Sequence, residues 1–399
     1  MLLTHLQYNE QLYIFYTMKI EDASNIYLGS SQVSKIYSGS TQVWPIAPMS
    51  CNISGYVTQY AISQGITAVP VFFNRDSQDN AERVDIPIDS NGYFELTSIP
   101  MSITTPIVSL DSMFYLNMYS HHIIQSLTFD LDVSSCKTMQ LMLMQEDMTS
   151  LNTTLNATSL RNLDGTFEYC KSLTTIDLSN WTLTASVPLG SSFTMVSTFE
   201  ECRSLTNIIW PSTINAMPAD MTATFAWCDS ITTIDLSDWD LRNLRKMNRM
   251  FDDCHSLTTI IWPSTKIPQY ITSPSTRVTV EVANAYRRCT SLREIDLSFL
   301  AHADLRNTDS FFDGCTSLEV IRFGDAYINI PSYSYHYVFR NCTSLTDVYI
   351  NNATTLYSLT DTLAACDDTG TYQLLPSTVT IHYNGTTPHD YVWNGSAWV

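Results

Sequence analysis

The sequence predicts a mainly β protein in which a small N-terminal β-hairpin anchor and a β-sandwich module precede a repeat solenoid with a parallel strand ladder. Three observations predict this fold. Segments that align on cysteine recur at intervals near 26 residues in the C-terminal two-thirds of the chain. Short runs of alternating apolar and polar residues dominate the N-terminal third. Hydrophobic residues make up 44% of the 399 residues and charged residues only 15%, so the chain can bury a sizeable core.

Charge and composition argue against several classes of protein. The chain has 20 Lys and Arg against 39 Asp and Glu, a formal net charge of −19. Because no segment has a surplus of basic residues, we expect no nucleic-acid binding through phosphate contacts. The N-terminus lacks a cationic start and an uninterrupted apolar run. We therefore expect no secretory signal and no membrane insertion, with synthesis in a reducing cytoplasm.

Residues 1–48 contain a tandem decapeptide, IYLGSSQVSK from Ile26 and IYSGSTQVWP from Ile36. In each copy a glycine lies in a turn-like segment between apolar residues, which predicts two small β-hairpins. A unit of this size is not stable alone in water, so it should pack on a partner surface or on copies of itself. The predicted anchor or oligomer contacts are Ile26, Tyr27, Val33, Ile36, Tyr37, Val43 and Trp44.

Residues 49–130 predict a β-sandwich. Apolar and polar residues alternate through this segment, and Asn91-Gly92 is a typical hairpin turn. The pattern of Ser54–Val57 and Asp89–Phe94 resembles the transthyretin-like, or carboxypeptidase-regulatory, sandwich. The end of the segment is a transition into the repeats.

Residues 131–380 form the repeat region. Seven segments share the pattern aromatic-x-x-Cys-x-Ser-Leu-x-x-Ile-x-apolar, and their cysteines are Cys170, Cys202, Cys228, Cys254, Cys289, Cys315 and Cys342. Degenerate copies are expected at Cys136 and at Cys366, because terminal repeats cap the stack and diverge. The longer intervals before Cys202 and Cys289 predict loop insertions at 183–195 and 266–282.

Each repeat predicts one coil of a solenoid. In the first copy Ile176 and Leu178 are separated by one residue, so both side chains point to the same face of a strand. Leu173, in the preceding turn, adds its side chain to that face. The aromatic residue three before each cysteine should fill the opposite wall, with the cysteine as a small apolar side chain between the walls. The aromatic positions are Phe167, Phe199, Phe225, Phe251, Tyr286, Phe312 and Phe339.

The strands also show a two-repeat superperiod, in which IDLS-x-W alternates with IIWPST. The outward residues would form a stripe on the ladder face: Asp177, Ile209, Asp235, Ile261, Asp296, Arg322 and Tyr349. One interpretation is a ligand-contact stripe, since exposed apolar ladders mark interfaces. The alternative is a remnant of duplication whose apolar members are covered by a neighbouring subunit or loop. A calcium ladder is disfavoured, because alternate strands place the acids roughly 9–10 Å apart.

No catalytic or metal-binding pattern is present in the sequence. There is no His-Glu-x-x-His, Cys-x-x-Cys, phosphate-binding loop or nucleophile elbow, and we expect neither enzyme activity nor a cofactor. His121 and His122 are adjacent, so on a strand they would point to opposite faces. All ten cysteines are expected to remain free thiols.

The cysteine repeats resemble the BspA-like leucine-rich repeats of bacterial surface proteins and gut-phage proteins. The resemblance covers residues 166–351 and implies a right-handed solenoid that serves adhesion rather than catalysis. The tandem decapeptide resembles segments in structural proteins of tailed phages that infect gut Bacteroides, including the crAss-like phages. The C-terminal residues 381–399, which contain YNGTTPHDYVWNGSAWV, predict a further hairpin of similar composition.

Together these features predict a phage virion protein made in the host cytoplasm, in the form of a head fibre or capsid appendage. Its N-terminus would bind the capsid or another virion protein, and its repeats would face outward toward a host polysaccharide or protein. We expect a homo-oligomer, a trimer in preference to a dimer. One alternative is a tail-associated receptor-binding protein, and a bacterial cell-surface adhesin is the alternative from another class. A glycan-degrading enzyme ranks last, because no scaffold presents paired carboxylates.

Overall fold

The computed structural model gives the backbone of six short strands before residue 50 and both backbone and side chains for most later residues. Apart from those strands, the described residues are 50–100, 102–103, 106–114, 124–144, 148–183, 193–212, 214, 216–265, 267–268, 277–301, 303–328, 337–356, 379–392 and 398–399.

The N-terminal strands are β1 (Leu6–Tyr8), β2 (Gln11–Tyr13), β3 (Tyr27–Leu28), β4 (Ser31–Gln32), β5 (Ile36–Ser38) and β6 (Thr41–Trp44). Each decapeptide forms a hairpin, β3–β4 in the first copy and β5–β6 in the second. A further hairpin, β1–β2, pairs with β5 in parallel, and this pairing was not foreseen.

The next module contains β7 (Ser50–Val57), α1 (Gln59–Ser63), β8 (Ala68–Phe73), β9 (Glu82–Pro87) and β10 (Tyr93–Ser98). The Thr58 hydroxyl caps α1 by accepting a hydrogen bond from the Ala61 N–H at 3.1 Å. Strands β7 and β10 pair antiparallel, and β8 and β9 form a separate hairpin whose Val69, Val71 and Phe73 side chains are buried. The alternation predicted from the sequence thus produces strands with one buried face.

The later strands are β11 (Ile124–Asp132), β12 (Ser150–Asn156), β13 (Thr175–Asp177), β14 (Trp181–Thr182), β15 (Phe193–Thr194), β16 (Asn207–Ile209), β17 (Pro218–Asp220), β18 (Thr233–Asp235), β19 (Thr259–Ile261), β20 (Val278–Glu281), β21 (Glu294–Asp296), β22 (Ala303–Arg306), β23 (Val320–Gly324), β24 (Tyr327–Ile328), β25 (Asp347–Ile350), β26 (Thr380–Tyr383) and β27 (His389–Val392). One turn of 3₁₀ helix spans Ser298–Leu300. Among the described elements strands predominate, and the repeats wind into a solenoid, which confirms the predicted fold class.

One sheet joins the β-sandwich module to the solenoid. Its strand order is β10-β7-β11-β12-β14, antiparallel on both sides of β7 and parallel from β11 onward. Gly55 on β7 allows this close pairing, because a Cβ there would lie 2.0 Å from the carbonyl oxygen of Ser126. The predicted boundary between residues 130 and 131 falls inside β11, and one buried apolar cluster extends from Ile53 to Tyr383. The division into 1–48, 49–130, 131–380 and 381–399 stays a prediction.

The first ladder of the solenoid carries the predicted inward residues. Strands β13 and β16 pair in parallel, as do β18 and β19, and β21, β23, β25 and β26 form a continuous parallel set that ends with antiparallel β27. Leu173, Ile176 and Leu178 are buried, as their spacing predicted.

A second ladder was not predicted. Its rungs are single residues or short strands that pair in parallel from coil to coil without a break: Ser109, Thr138, Asn162, Thr194, Asp220, Lys246, Glu281 and Arg306. Where the first ladder is also paired, neighbouring coils are therefore hydrogen-bonded at two places, which fixes the stacking more firmly than one ladder alone.

The segment between each second-ladder rung and its cysteine adopts an unusual backbone. The residue directly before the cysteine has φ between 57° and 81° in every cysteine-bearing coil: Tyr169, Glu201, Trp227, Asp253, Arg288, Gly314 and Asn341. Every second N–H of this segment donates to a carbonyl of the next coil, as from Phe167 to Thr198 (2.9 Å) and from Tyr169 to Glu200 (2.8 Å). These hydrogen bonds offset the strain of a non-glycine residue at positive φ.

The aromatic residues three before the cysteines stack in one column. Neighbouring rings from Phe167 to Phe339 lie with centroids 5.4–5.8 Å apart and planes within 19°. The predicted aromatic wall is thus confirmed, and offset stacking adds to the burial of its apolar area.

The cysteines are more than apolar filler. In each of the seven coils that carry the full motif, the cysteine Sγ donates a hydrogen bond to a backbone carbonyl of the preceding coil, from 2.9 Å in Cys315 to 3.2 Å in Cys228. The predicted degenerate repeat at Cys136 is wrong in register. Thr138 and Asn162 are adjacent rungs, but Cys170 lies eight residues after its rung and Cys136 two residues before. Cys136 therefore occupies the position of Leu160, and Leu143 takes the aromatic position. Cys366 lies outside the described residues.

The superperiod has a structural counterpart. Within the described residues, β16 and β18 are not paired, and neither are β19 and β21. Aromatic contacts join the coils at those two places. Trp210 and Trp239 meet edge to face at 5.1 Å, and Trp262 stacks on Phe299 at 3.9 Å. The tryptophans of the alternating motifs thus hold the coils together where ladder hydrogen bonds are missing.

The C-terminal hairpin β26–β27 continues the first ladder as its last rungs. Most of the predicted insertions 183–195 and 266–282 lies outside the described residues. No described helix has the length and apolar character required to cross a bilayer.

Candidate functional site on the ladder face

The outward stripe predicted from the sequence lies in register within each sheet. Asp177 pairs with Ile209, and Asp235 pairs with Ile261. In the last sheet Arg322 lies between Asp296 and Tyr349, and His382 follows Tyr349 as a further rung. The structure thus divides the seven predicted residues among three sheets and adds His382, which the sequence prediction missed. Its signal was the alternation Val379-x-Ile381-x-Tyr383, which carries no cysteine motif.

Two members of the stripe are exposed apolar residues. Ile209 retains 40% of its accessible surface and Ile261 42%, whereas the inward residues beside them, Ile208 and Ile260, pack partly buried against the core. The two isoleucines occupy the same outward position in successive two-repeat units. Exposure of apolar side chains to water is unfavourable, so a repeated apolar position of this kind indicates a contact surface.

The aspartates of the stripe are engaged in turns. The carboxylates of Asp177, Asp235 and Asp296 each accept a hydrogen bond from the N–H of the serine two residues later, at 2.8–2.9 Å. Hydrogen bonds from Ser179 hold the pKa of Asp177 below its ordinary value. The acids thus fix the turn that leaves each strand, so the alternation of acid and isoleucine has a structural cause as well as a surface consequence.

The C-terminal part of the stripe is a stack of planar groups. The Arg322 guanidinium lies 4.3 Å from the centroid of the Tyr349 ring, and the His382 ring stacks on the other side at 4.3 Å. Arg322 also donates to Glu294 at 2.8 Å. Both ring nitrogens of His382 lie 2.8 Å from carboxylate oxygens, Nε2 from Asp347 and Nδ1 from Asp390. This end of the face is polar and internally paired, unlike the isoleucine part.

A second polar surface was also missed. The residues around each cysteine form a charged turn edge, defined as Glu168, Glu200, Glu201, Arg203, Asp252, Asp253, Arg287, Arg288, Asp313 and Arg340. Asp252 is fully buried and pairs with Arg287 at 2.6 Å. Burial, with the charges of Glu200 and Glu201, raises the pKa of the Glu168 carboxyl to about 7. Several of these ion pairs join neighbouring coils, so the charged turn edge stabilises the stacking of one coil on the next.

The predicted anchor contacts lie partly outside the described residues. Tyr27 lies on β3, Ile36 and Tyr37 on β5, and Val43 and Trp44 on β6. Ile26 and Val33 lie outside the described part of the chain, and the contacts of this segment stay a prediction.

Within the described ranges, no three His, Cys, Asp or Glu side chains are grouped so that they could hold a metal ion. His121 and His122 lie outside these ranges. The nine cysteines that the structure describes are free thiols, and all except Cys51 are buried.

Comparison with known families agrees with the repeat geometry. The family described as BspA type leucine-rich repeat region matches in six copies, over residues 164–279, 196–335 and 266–366. A family described as Mycoplasma protein of unknown function, DUF285, matches residues 108–218, a range that begins one residue before Ser109, the first rung of the second ladder. No curated protein shows significant similarity to the chain. The solenoid is of the kind that suggests a surface-binding, adhesin-like protein. Because the repeat family covers just over half of the residues, the chain belongs to the BspA-type leucine-rich repeat proteins.

Proposed function

We propose that the protein is a virion component of a tailed phage, a head fibre or other capsid appendage that presents its solenoid to the host surface. The observation that carries the adhesive part of this proposal is the exposed pair Ile209 and Ile261 on a regular strand face. Apolar side chains that remain open on such a face are typical of contact surfaces. The ligand would be a host polysaccharide or protein, bound without catalysis or a cofactor.

The N-terminal hairpins support the virion part of the proposal. Strands β1 to β6 are two to four residues long, too short for a stable unit without partners. We propose that they bind the capsid or another virion protein and contribute to a homo-oligomer, with three-fold symmetry preferred over two-fold. Light scattering on the purified protein measures this directly, since a trimer has three times the 45.1 kDa chain mass.

Virions provide the test of location. Purified particles are labelled with gold-conjugated antibody against residues 277–301, a described stretch of the solenoid, and imaged by electron microscopy. Label over the capsid supports a head fibre, and label on the tail supports the alternative of a tail-associated receptor-binding protein. Purified virions that carry no label overturn the virion proposal.

The second candidate is a bacterial cell-surface adhesin. The match to a family described from Mycoplasma favours it, because that description names a cellular organism. Protease treatment of intact cells distinguishes the two. If the protein is a surface adhesin, protease removes its solenoid from intact, uninfected cells. A virion protein is instead found only after infection and in released particles.

A further inference from the structure

One side chain of the C-terminal hairpin bridges the last strand of the solenoid and the outer strand of the hairpin, in addition to the backbone pairing. Strand β26 pairs in parallel with β25 and antiparallel with β27, and His382 lies on β26 in register with Tyr349 on one side and Asp390 on the other. Its imidazole bridges both neighbours, with Nε2 at 2.8 Å from Asp347 and Nδ1 at 2.8 Å from Asp390. We propose that His382 is a pH-sensitive clasp that holds β27 on the end of the ladder.

The geometry requires a cationic ring. A carboxylate only accepts hydrogen bonds, whereas a neutral imidazole carries one N–H and one lone pair. Both contacts of His382 are hydrogen bonds only when both nitrogens are protonated. Loss of one proton leaves a lone pair facing a carboxylate oxygen, so one contact turns from attractive to repulsive.

The other groups around His382 leave this balance in place. On β25, Asp347 also accepts from the Thr346 hydroxyl, and Tyr349 stacks on the imidazole. On β27, His389 packs edge to face on Tyr391. On the next strand, β23, Arg322 covers the far side of Tyr349 and pairs with Glu294. Glu319, before β23, pairs with Arg293. The two carboxylates are thus the charged groups in direct contact with the ring among the described residues.

The direction of the pH effect follows from both partners. Burial lowers the pKa of His382, but the hydrogen bonds to Asp347 and Asp390 and their charges outweigh it and raise the pKa above 6.5. A raised imidazole pKa contributes stability that is complete below 6.5 and is lost as pH rises through the raised value. Hydrogen bonds from His382 and Thr346 lower the pKa of Asp347 below 3.8. The clasp is therefore closed in weak acid and loosens in alkali.

Loosening has a structural consequence. Strand β27 covers the outer edge of β26, whose backbone groups would otherwise be open to an added strand. The clasp thus controls access to the end of the ladder.

Hydrogen exchange followed by mass spectrometry tests the proposal in the intact protein. Exchange of residues 380–392 is compared at pH 6 and pH 9 after correction for the intrinsic pH dependence, with β13–β16 as the internal reference. Since a hydrogen bond to a charged group contributes enough for a tenfold change in an equilibrium, we expect opening of the hairpin to rise roughly tenfold at pH 9. Equal corrected protection at the two pH values overturns the proposal.

Two variants separate the clasp from general pH effects. Asp390→Asn removes one charge from a largely exposed site and should make the hairpin open more at pH 6, with a pH response several-fold smaller than wild type. His255→Gln is the matched control, because His255 pairs with a carboxylate, Asp229, at 2.9 Å in another part of the solenoid. It should keep the full response. A full response in Asp390→Asn, or its loss in His255→Gln, contradicts the assignment.

Discussion

The thiol of Cys254 donates a hydrogen bond to the carbonyl oxygen of Phe225 in the preceding coil, with Sγ and oxygen 3.0 Å apart. The same carbonyl accepts the N–H of Cys228 within its own coil, at 3.2 Å. One acceptor therefore links a turn to itself and to the next turn. Because the contact recurs in all seven coils that carry the full motif, it explains why cysteine rather than another small apolar residue marks the repeat.

Substitution of Cys254 separates donation from packing. Serine and alanine are similar in volume, and only serine keeps a donor. We expect Cys254→Ser to be more stable than Cys254→Ala by about 0.5–1 kcal/mol, the contribution of one neutral hydrogen bond. Urea denaturation of the two variants measures the difference. If Cys254 is only apolar filler, the order reverses, because a buried hydroxyl without a partner is destabilising.

Tyr286 is the exception in an aromatic column that otherwise consists of phenylalanine. Its hydroxyl is buried and has no hydrogen-bond partner among the residues that the structure describes. Tyr286→Phe removes an unsatisfied polar group and keeps the ring stack, so we expect a gain of about 1 kcal/mol in the free energy of unfolding. Thermal unfolding is the measurement, with Phe312→Tyr as the reciprocal variant. A clear loss of stability in Tyr286→Phe would show that the hydroxyl has a partner.

Replacement of Glu168 by an uncharged side chain should increase the stability of the protein in a pH-dependent way. Burial and the charges of Glu200 and Glu201 raise its pKa to about 7, above the ordinary value of 4.5. For an acid with a raised pKa, ionisation opposes folding, so the penalty grows from pH 4.5 to 7 and is complete above 7. Glu168→Gln should therefore stabilise the protein by about 1 kcal/mol at pH 8 after allowance for solvent screening, and little at pH 4. Denaturation at both pH values checks this. An equal effect at pH 4 and pH 8 would exclude ionisation as its cause.

The periodic part of the fold could be predicted from the sequence because one residue type recurs at one position. The inward residues Ile176 and Leu178 and the aromatic column follow directly from the spacing of the repeat. The outward column from Asp177 to Tyr349 follows from the same register.

The remaining features depend on backbone geometry that no residue type signals. The residues at positive φ include Tyr169, Glu201 and Trp227, none of which favours that conformation, so this backbone geometry was not visible in the sequence. Cys136 shows the opposite error, since the residue type matched the motif but its distance from the rung did not. His382 was missed because about forty residues separate it from the last repeat cysteine.

The most direct test of the account is adsorption to intact host cells by the purified protein and two variants. Ile209→Lys/Ile261→Lys places two charges on the ladder face, and Val108→Lys is the matched control, because Val108 is 42% exposed and directly precedes Ser109, a rung of the second ladder. A loss of two contacts of this size corresponds to roughly a tenfold or greater fall in affinity. We predict that the double variant loses adsorption by at least that factor, while Val108→Lys adsorbs like the wild type. Unchanged adsorption of the double variant, or no adsorption by the wild type, contradicts the ladder face as the adhesive surface.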